Sequence, residues 1–227
     1  METKQETKRD ILNKGAVLQR DKQTYAIAPH IPGGIILDFN FLRKIVDTAE
    51  KYGAKALKLT SAQRIAIVGI EEDKIDQVWD ELGMEKGHAI GLCVRSIKIC
   101  PATHFCKRGQ QDAVTLGLEL DKKYHGMDLP SKFKMSVAGC ANSCSEPAVR
   151  DIGIMGTPKG YTIMIGGNAG IKPRLADILA ENVPQEEVIP WVDKIISYYK
   201  NNAKSYERLG NMIDRLGLDK IKQDLGE

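Results

Sequence analysis

The sequence predicts an α+β fold in two parts, and three observations carry that prediction. Between residues 20 and 85 the spacing of apolar residues alternates between the strand and helix periods, giving strand, helix, strand, strand, helix. From residue 94 to 167 strand-like runs dominate, and the last third of the chain is helical. Four of the five cysteines fall into two tight pairs, each beginning where a strand-like run ends.

Residues 1–20 read as a polar arm, 21–86 as a first unit and 87–227 as a second. TYAIAP (24–29) is strand-like and leads into the turn PHIPGGI. Asp38 is placed to cap a helix with Phe41, Leu42, Ile45, Val46, Ala49 and Tyr52 on one face, closed by Gly53. AKALKLT (54–60) and RIAIVGI (64–70) alternate as half-buried strands do. Ile75, Val78, Trp79 and Leu82 form the stripe of a second helix that stops at Gly83. VRSIKIC (94–100) and KFKMSVAGC (132–140) are strand-like, with a helix between them reaching about Tyr124. DIGIMGT (151–157) and YTIMIGG (161–167) read as a hairpin turning at Pro158-Lys159-Gly160. Val188, Ile189, Val192, Ile195, Ile196 and Tyr199 mark a helix expected to begin within a residue or two of Pro190, since proline is tolerated at a helix start. Met212, Ile213, Leu216 and Leu218 mark one more short helix.

Composition excludes several classes. The chain has 42% apolar and 28% charged residues, ordinary for a globular protein, and no apolar run long enough to span a membrane. The N-terminus METKQETKRDILNKG has no apolar signal stretch, which points to the cytoplasm. A net charge of +3, with basic and acidic residues interleaved, gives no footprint for nucleic acid. No glycine precedes a lysine, so there is no phosphate-binding P-loop. The glycines of residues 151–156 run strand into strand, which is not a dinucleotide site. His30, His88, His104 and His125 have no ligand spacing.

Five cysteines in a cytosolic chain argue for metal or redox chemistry over disulfides. Cys100 and Cys106 enclose PATHF, and Cys140 and Cys144 enclose ANS. Four thiolates on two loops suit an iron–sulfur cluster. Zinc takes the same tetrahedral sulfur set, although its cysteines are usually two to four residues apart. On spacing alone both metals stay open. Cys93 stands apart and reads as a small buried apolar residue.

CPATHFCKRG followed by KFKMSVAGCANSC resembles the signature of the sirohaem-containing sulfite and nitrite reductase family. The likeness extends upstream into KGAVLQRDKQTYAIAP and LTSAQR, and downstream into DIGIMG and GYTIMIGG, so it covers most of the chain. Ala141 stands where the family usually has proline, and His104 fills a variable slot. The resemblance implies a small ferredoxin-like βαββα unit followed by an α+β domain that binds sirohaem and a 4Fe-4S cluster. It implies Cys100, Cys106, Cys140 and Cys144 as cluster ligands, with the Cys144 sulfur also bridging to the sirohaem iron. Arg95, Lys132 and Lys134 match the family's substrate cations, and the alternation of a strand puts the two lysines on one face. The slot of a further arginine holds Ala62. Arg64 lies two residues on, on the same face of a regular strand, where it serves either the substrate or a sirohaem carboxylate. Sirohaem is strongly anionic, and Lys107, Arg108, Lys172 and Arg174 are its candidate partners. Asn142 either donates to the cluster or caps the turn that follows.

The function so implied is the six-electron reduction of sulfite to sulfide, or of nitrite to ammonia. No flavin or nicotinamide site is visible, so electrons come from an external low-potential carrier such as a ferredoxin. The rival reading is a non-catalytic electron-transfer, sensing or cofactor-handling protein; Arg95, Lys132 and Lys134 would have no work in it. Larger family members resemble two fused copies of this unit, with substrate cations and cysteines in different halves. A homodimer with sites shared between copies follows, or else a compact monomer in which one strand serves both purposes.

Overall fold

The computed structural model describes residues 8–226, and these form two compact units that divide between Ile90 and Gly91. The first seven residues of the expected arm lie outside the described residues.

In the first unit the strands β1 (Val17–Leu18), β2 (Thr24–Ile27), β3 (Ala56–Leu59) and β4 (Ile65–Glu71) form an antiparallel sheet in the order β1-β2-β4-β3. Two helices, α1 (Phe39–Lys51) and α2 (Ile75–Leu82), complete it. Val17 and Leu18, expected in the arm, pair with Ala26 and Tyr25 as an edge strand. Asp38 caps α1 by accepting the Asn40 N–H at 2.9 Å. Gly83 closes α2 in the left-handed conformation, φ 56°, with its N–H on the Trp79 carbonyl. Alternate residues of the strands supply the core: Tyr25 and Ile27 from β2, Ile65 and Ile67 from β4, against Ile45, Ile75, Val78 and Leu82. Burying each aliphatic side chain is worth about 1.5–3 kcal/mol.

Two expectations for this unit need correction. β3 is exposed at all four residues, not half-buried, because it lies at the sheet edge. Thr60–Arg64 is a tight turn rather than strand. The Thr60 N–H meets the Arg64 carbonyl at 2.8 Å, and Gln63 is left-handed with φ 58°. The strand therefore breaks between Ala62 and Arg64, and the two do not share a face.

In the second unit β5 (Lys98–Ile99), β6 (Met135–Ala138), β7 (Ile152–Thr157), β8 (Gly160–Ile165) and β9 (Asp177–Val183) form one sheet in sequence order. β5, β6 and β7 run parallel, and β8 and β9 return antiparallel. α3 (Ala102–Phe105) and α4 (Ala113–Tyr124) lie between the first two strands, and α5 (Gln185–Asn202), α6 (Leu209–Leu216) and α7 (Leu218–Leu225) follow the last. Every residue of β8 is buried, as for a strand covered on both faces. Phe133 and Tyr199, both fully buried, pack with ring centroids 5.2 Å apart and join the basic strand to α5.

α5 starts at Gln185, five residues before Pro190. Pro184 stands at its N-cap, Glu186 and Glu187 complement the helix dipole, and a proline in the second turn removes only one backbone hydrogen bond. The helix expected through Leu218 is two, broken at Gly217 with φ 88° and ψ 136°. β9 was not legible, since DILAENV mixes charge into a strand whose register slips twice against β8.

Candidate functional site

Both cysteine pairs sit beyond the C-terminal ends of adjacent parallel strands, where ligands of α/β sheets commonly bind. β5 and β6 pair Lys98 with Ser136 and Ile99 with Val137, so the cysteine loops leave the sheet side by side. The Cys100 N–H continues the ladder to the Val137 carbonyl at 3.1 Å, and the Gly139 N–H points at the Cys100 sulfur, also at 3.1 Å. Gln110 and Gln111 N–H groups both meet the Gly139 carbonyl, at 2.9 and 3.0 Å. A Cβ on Gly139 would lie 2.5 Å from the Ala102 Cβ, so the two loops touch there.

The loops are also strained. Ala102 (φ 42°), Ser143 (φ 53°) and Glu146 (φ 59°) are left-handed without being glycine. Such residues cost about 1–3 kcal/mol each and gather where geometry serves a site. Exposure rises across the set: Cys100 is buried, Cys106 and Cys140 are half-buried and Cys144 is exposed, all as free thiols. Four free thiols on two abutting loops are the donor set a four-iron cluster needs. Cys93 is buried seven residues away, in the stretch that pairs with Asp128.

The basic residues gather at the other end of the same strands. Lys132 and Lys134 are exposed on either side of buried Phe133, hence on one face. The Arg95 N–H meets the Phe133 carbonyl at 2.9 Å, which sets Arg95 beside them, and its guanidinium donates to the Gly91 carbonyl at 2.8 Å. Burial, with Arg208 adding to it, holds Arg95 below the usual arginine range. Although the Lys134 side chain as a whole is exposed, partial desolvation of its ammonium pushes its pKa down, helped by Arg150, Arg208 and Lys132.

Sequence reasoning missed five charged residues of this unit. Arg150 and Lys98 both pair with Glu146, Lys98 at 3.1 Å, forming a charged chain that leads from the basic end towards Cys100 and Cys144. Asp151, with no exposed surface, is clasped by Arg208. The Arg150 Nε has no hydrogen-bond partner among the described residues. The only signal available was position: Lys98 is two residues before Cys100, and Arg150-Asp151 opens an otherwise apolar strand.

The remaining candidates divide. Lys107, Arg108, Asn142 and Lys172 are exposed. Arg174 instead turns inward: it donates to Asp214, Asp177 and the Gly166 and Leu175 carbonyls, so its guanidinium is committed to the fold. Arg64 is buried in the first unit, with Nη1 2.8 Å from where a Cβ on Gly87 would be.

Parallel strands ending in two cysteine pairs, with a basic strand leading to one of them, give the donor set of an iron–sulfur site with cations at the other end of the same strands. Residues 90–227 match the family described as nitrite and sulphite reductase 4Fe-4S domain, and residues 17–85 match the nitrite/sulfite reductase ferredoxin-like half domain. The chain belongs to the nitrite and sulfite reductase family. It is 37% identical over 92% of its length to an assimilatory-type sulfite reductase of Nitratidesulfovibrio vulgaris, covering 96% of that protein. It is 34% identical to an NAD(P)H nitrite reductase of Bacillus subtilis over 93% of this chain, but spans only 26% of that relative. The fold is shared with dissimilatory sulfite reductase I at a TM-score of 0.82 and 16% identity, over 89% of this chain and 69% of that one. The chain is thus an oxidoreductase of this family, and a 4Fe-4S cluster and sirohaem are its cofactors. Among the described residues no helix is long and apolar enough to cross a membrane.

Proposed function

We propose that the protein reduces sulfite to sulfide, or nitrite to ammonia, with Cys100, Cys106, Cys140 and Cys144 holding the cluster. The observation that carries this reading is the meeting of the two cysteine loops at Gly139 and Ala102, beyond strands that also carry the cations. Cys144 is the exposed thiol of the four, which supports reading it as the cysteine that would also face the sirohaem. Exposed Lys107, Arg108 and Lys172 would answer the sirohaem carboxylates, and Asn142 would either donate to the cluster or cap the turn that follows. Arg174 has no donor left for that task. When bound, the two cofactors would relay the donor's electrons and supply the iron at which the anion is reduced.

Arg95, Lys132 and Lys134 bind and orient the anion. Fixed cations in a partly dry site stabilise the charge that develops as its oxygens leave. Their second task concerns protons, which the reaction consumes along with electrons. A lysine whose pKa is pushed down gives up its proton more readily than an ordinary one, so Lys134 is suited to donate as well as to bind.

Lys134 and Cys140 lie six residues apart along an extended segment, roughly 20 Å at the rise of a strand. That span is about the width of a sirohaem and leaves a one-copy site physically possible; the shared site, one copy's lysines reaching the other's cofactors, rests instead on the resemblance to larger members built like two fused copies. An external ferredoxin-like carrier supplies the electrons. Five free thiols suit a reducing cytoplasm.

The test is the absorption spectrum of anaerobically purified protein before and after sulfite or nitrite, followed by turnover with a chemical reductant. A chlorin-type spectrum shifted by the anion, with turnover, is expected. A cluster spectrum that neither anion perturbs, without turnover, would refute the reading.

A further inference from the structure

Two charged groups beside the basic strand have no part in the reading above. Asp151 is wholly buried, yet its carboxylate makes three bonds. Oδ1 accepts from Arg208 Nε at 2.9 Å, and Oδ2 from Arg208 Nη2 at 2.6 Å. Oδ2 also accepts the backbone N–H of Lys134 at 2.8 Å. Arg208 extends the tie through Nη1 to Asn168 Oδ1 at 3.4 Å. One carboxylate thus joins the basic strand, the residue before β7 and the N-cap of α6.

We infer that Asp151 and Arg208 are a positioning pair for the anion-binding lysines. Asp151 fixes the backbone of Lys134, and with it the direction in which that side chain leaves the strand. This rests on the proposal that Lys132 and Lys134 bind the substrate anion.

Stability alone does not account for the pair. A buried ion pair is often replaced by apolar residues without loss, whereas removing one partner strands a charge. What the polar pair adds is a fixed direction and a balanced charge. Arg208 weighs on both Arg95 and Lys134, disfavouring their charged forms. Asp151, in direct contact with Arg208, offsets it. The charged groups around Lys134 are Arg150, Arg208, Lys132, Asp151 and Glu146, four of them on other segments than its own. Burial pushes the Asp151 carboxyl up while Arg208 and the Lys134 N–H oppose that shift.

The experiment compares Asp151→Asn, Arg208→Lys and Lys134→Met in the full chain with both cofactors loaded. Asparagine keeps the shape of Asp151 and removes its charge. The kcat/KM for the anion should fall about tenfold to a hundredfold, chiefly through KM, as for a misplaced binding group. The alkaline limb of the pH profile should move to lower pH, because a cation left unbalanced beside Lys134 favours its neutral form. Iron and sulfide content should stay at the wild-type level. Independently of turnover, the Lys134 amide should exchange with deuterium at least about tenfold faster, since its hydrogen-bond acceptor is weakened. Wild-type kinetics, pH limb and exchange in Asp151→Asn, with Lys134→Met impaired, would overturn the positioning role and leave the substrate reading standing. Normal turnover in Lys134→Met would overturn both. If Asp151→Asn does not accumulate folded, Arg208→Lys decides: it keeps the charge and the Asp151–Lys134 bond but loses the two-pronged grip. A raised KM with full cluster content supports the inference, and an unchanged KM overturns it.

Discussion

Gly139→Ala tests how closely the two cysteine loops must meet. The glycine is not needed for its backbone freedom, since its φ is not positive. It is needed because a Cβ there would lie 2.5 Å from the Ala102 Cβ and 2.7 Å from the Gln111 carbonyl oxygen. Carbon atoms pack at about 3.5–4.0 Å, so one loop must retreat by roughly 1 Å or more. Overpacking of that kind costs about 1–3 kcal/mol. For a chain of this size each kcal/mol lowers Tm by roughly 2–4 °C. The displaced segments carry Cys100 and Cys140, so the larger expected effect is on the cluster. Iron and acid-labile sulfide should fall well below wild type in anaerobic preparations, beside a lowered Tm in thermal unfolding. Gly117→Ala is the control. Its Cβ would meet Cδ1 and Cγ1 of Ile99 at 2.6 Å, side-chain atoms only, whereas the Gly139 Cβ also meets backbone atoms of the cysteine loop and of Gln111. It should lower Tm and keep the cluster. Full iron content and wild-type Tm in Gly139→Ala would refute the close approach from which the site is argued.

Other consequences follow from the basic end. Lys132→Met and Lys134→Met should each lower turnover by one to three orders of magnitude with the cofactor spectrum intact, roughly 2–4 kcal/mol per donor; normal turnover in both would return these lysines to the surface. On the proposed reading the charged form of Lys134, whose pKa is lowered, would hold the anion, so binding would be complete at low pH and lost as pH rises through that lowered value. KM should therefore climb at a pH below the ordinary lysine value of about 10.4, and Lys134→Arg should move the climb upward; identical profiles for the two would remove Lys134 from the binding step. Mixing a Lys134→Met subunit with a Cys144→Ser subunit, each inactive alone, should restore activity if sites are built from two chains. No recovery in a confirmed mixed oligomer would sink the shared site.

What the sequence made legible was local. The alternation of TYAI and RIAIVGI, the Asp38 cap and the Gly83 stop each lie within one element, and each forms as the spacing implies. The cysteines were legible because their spacing is itself the motif. The Asp151–Arg208 pair was not, because 57 residues separate its members and neither has a local pattern. Pro190 misled because a helix start was inferred from the proline alone, while Pro184 and two glutamates set it earlier. Arg174 looked like a free cation beside a glycine-rich turn, and only the fold reveals Asp177 and Asp214 around it.

The most direct test of the account is the metal content of five single variants, each cysteine replaced by serine and purified anaerobically. Cys100→Ser, Cys106→Ser, Cys140→Ser and Cys144→Ser should each lose iron and acid-labile sulfide, while Cys93→Ser, altering a buried residue outside both loops, should retain them. Loss of the cluster from Cys93→Ser, with full retention in one of the other four, would contradict the assignment.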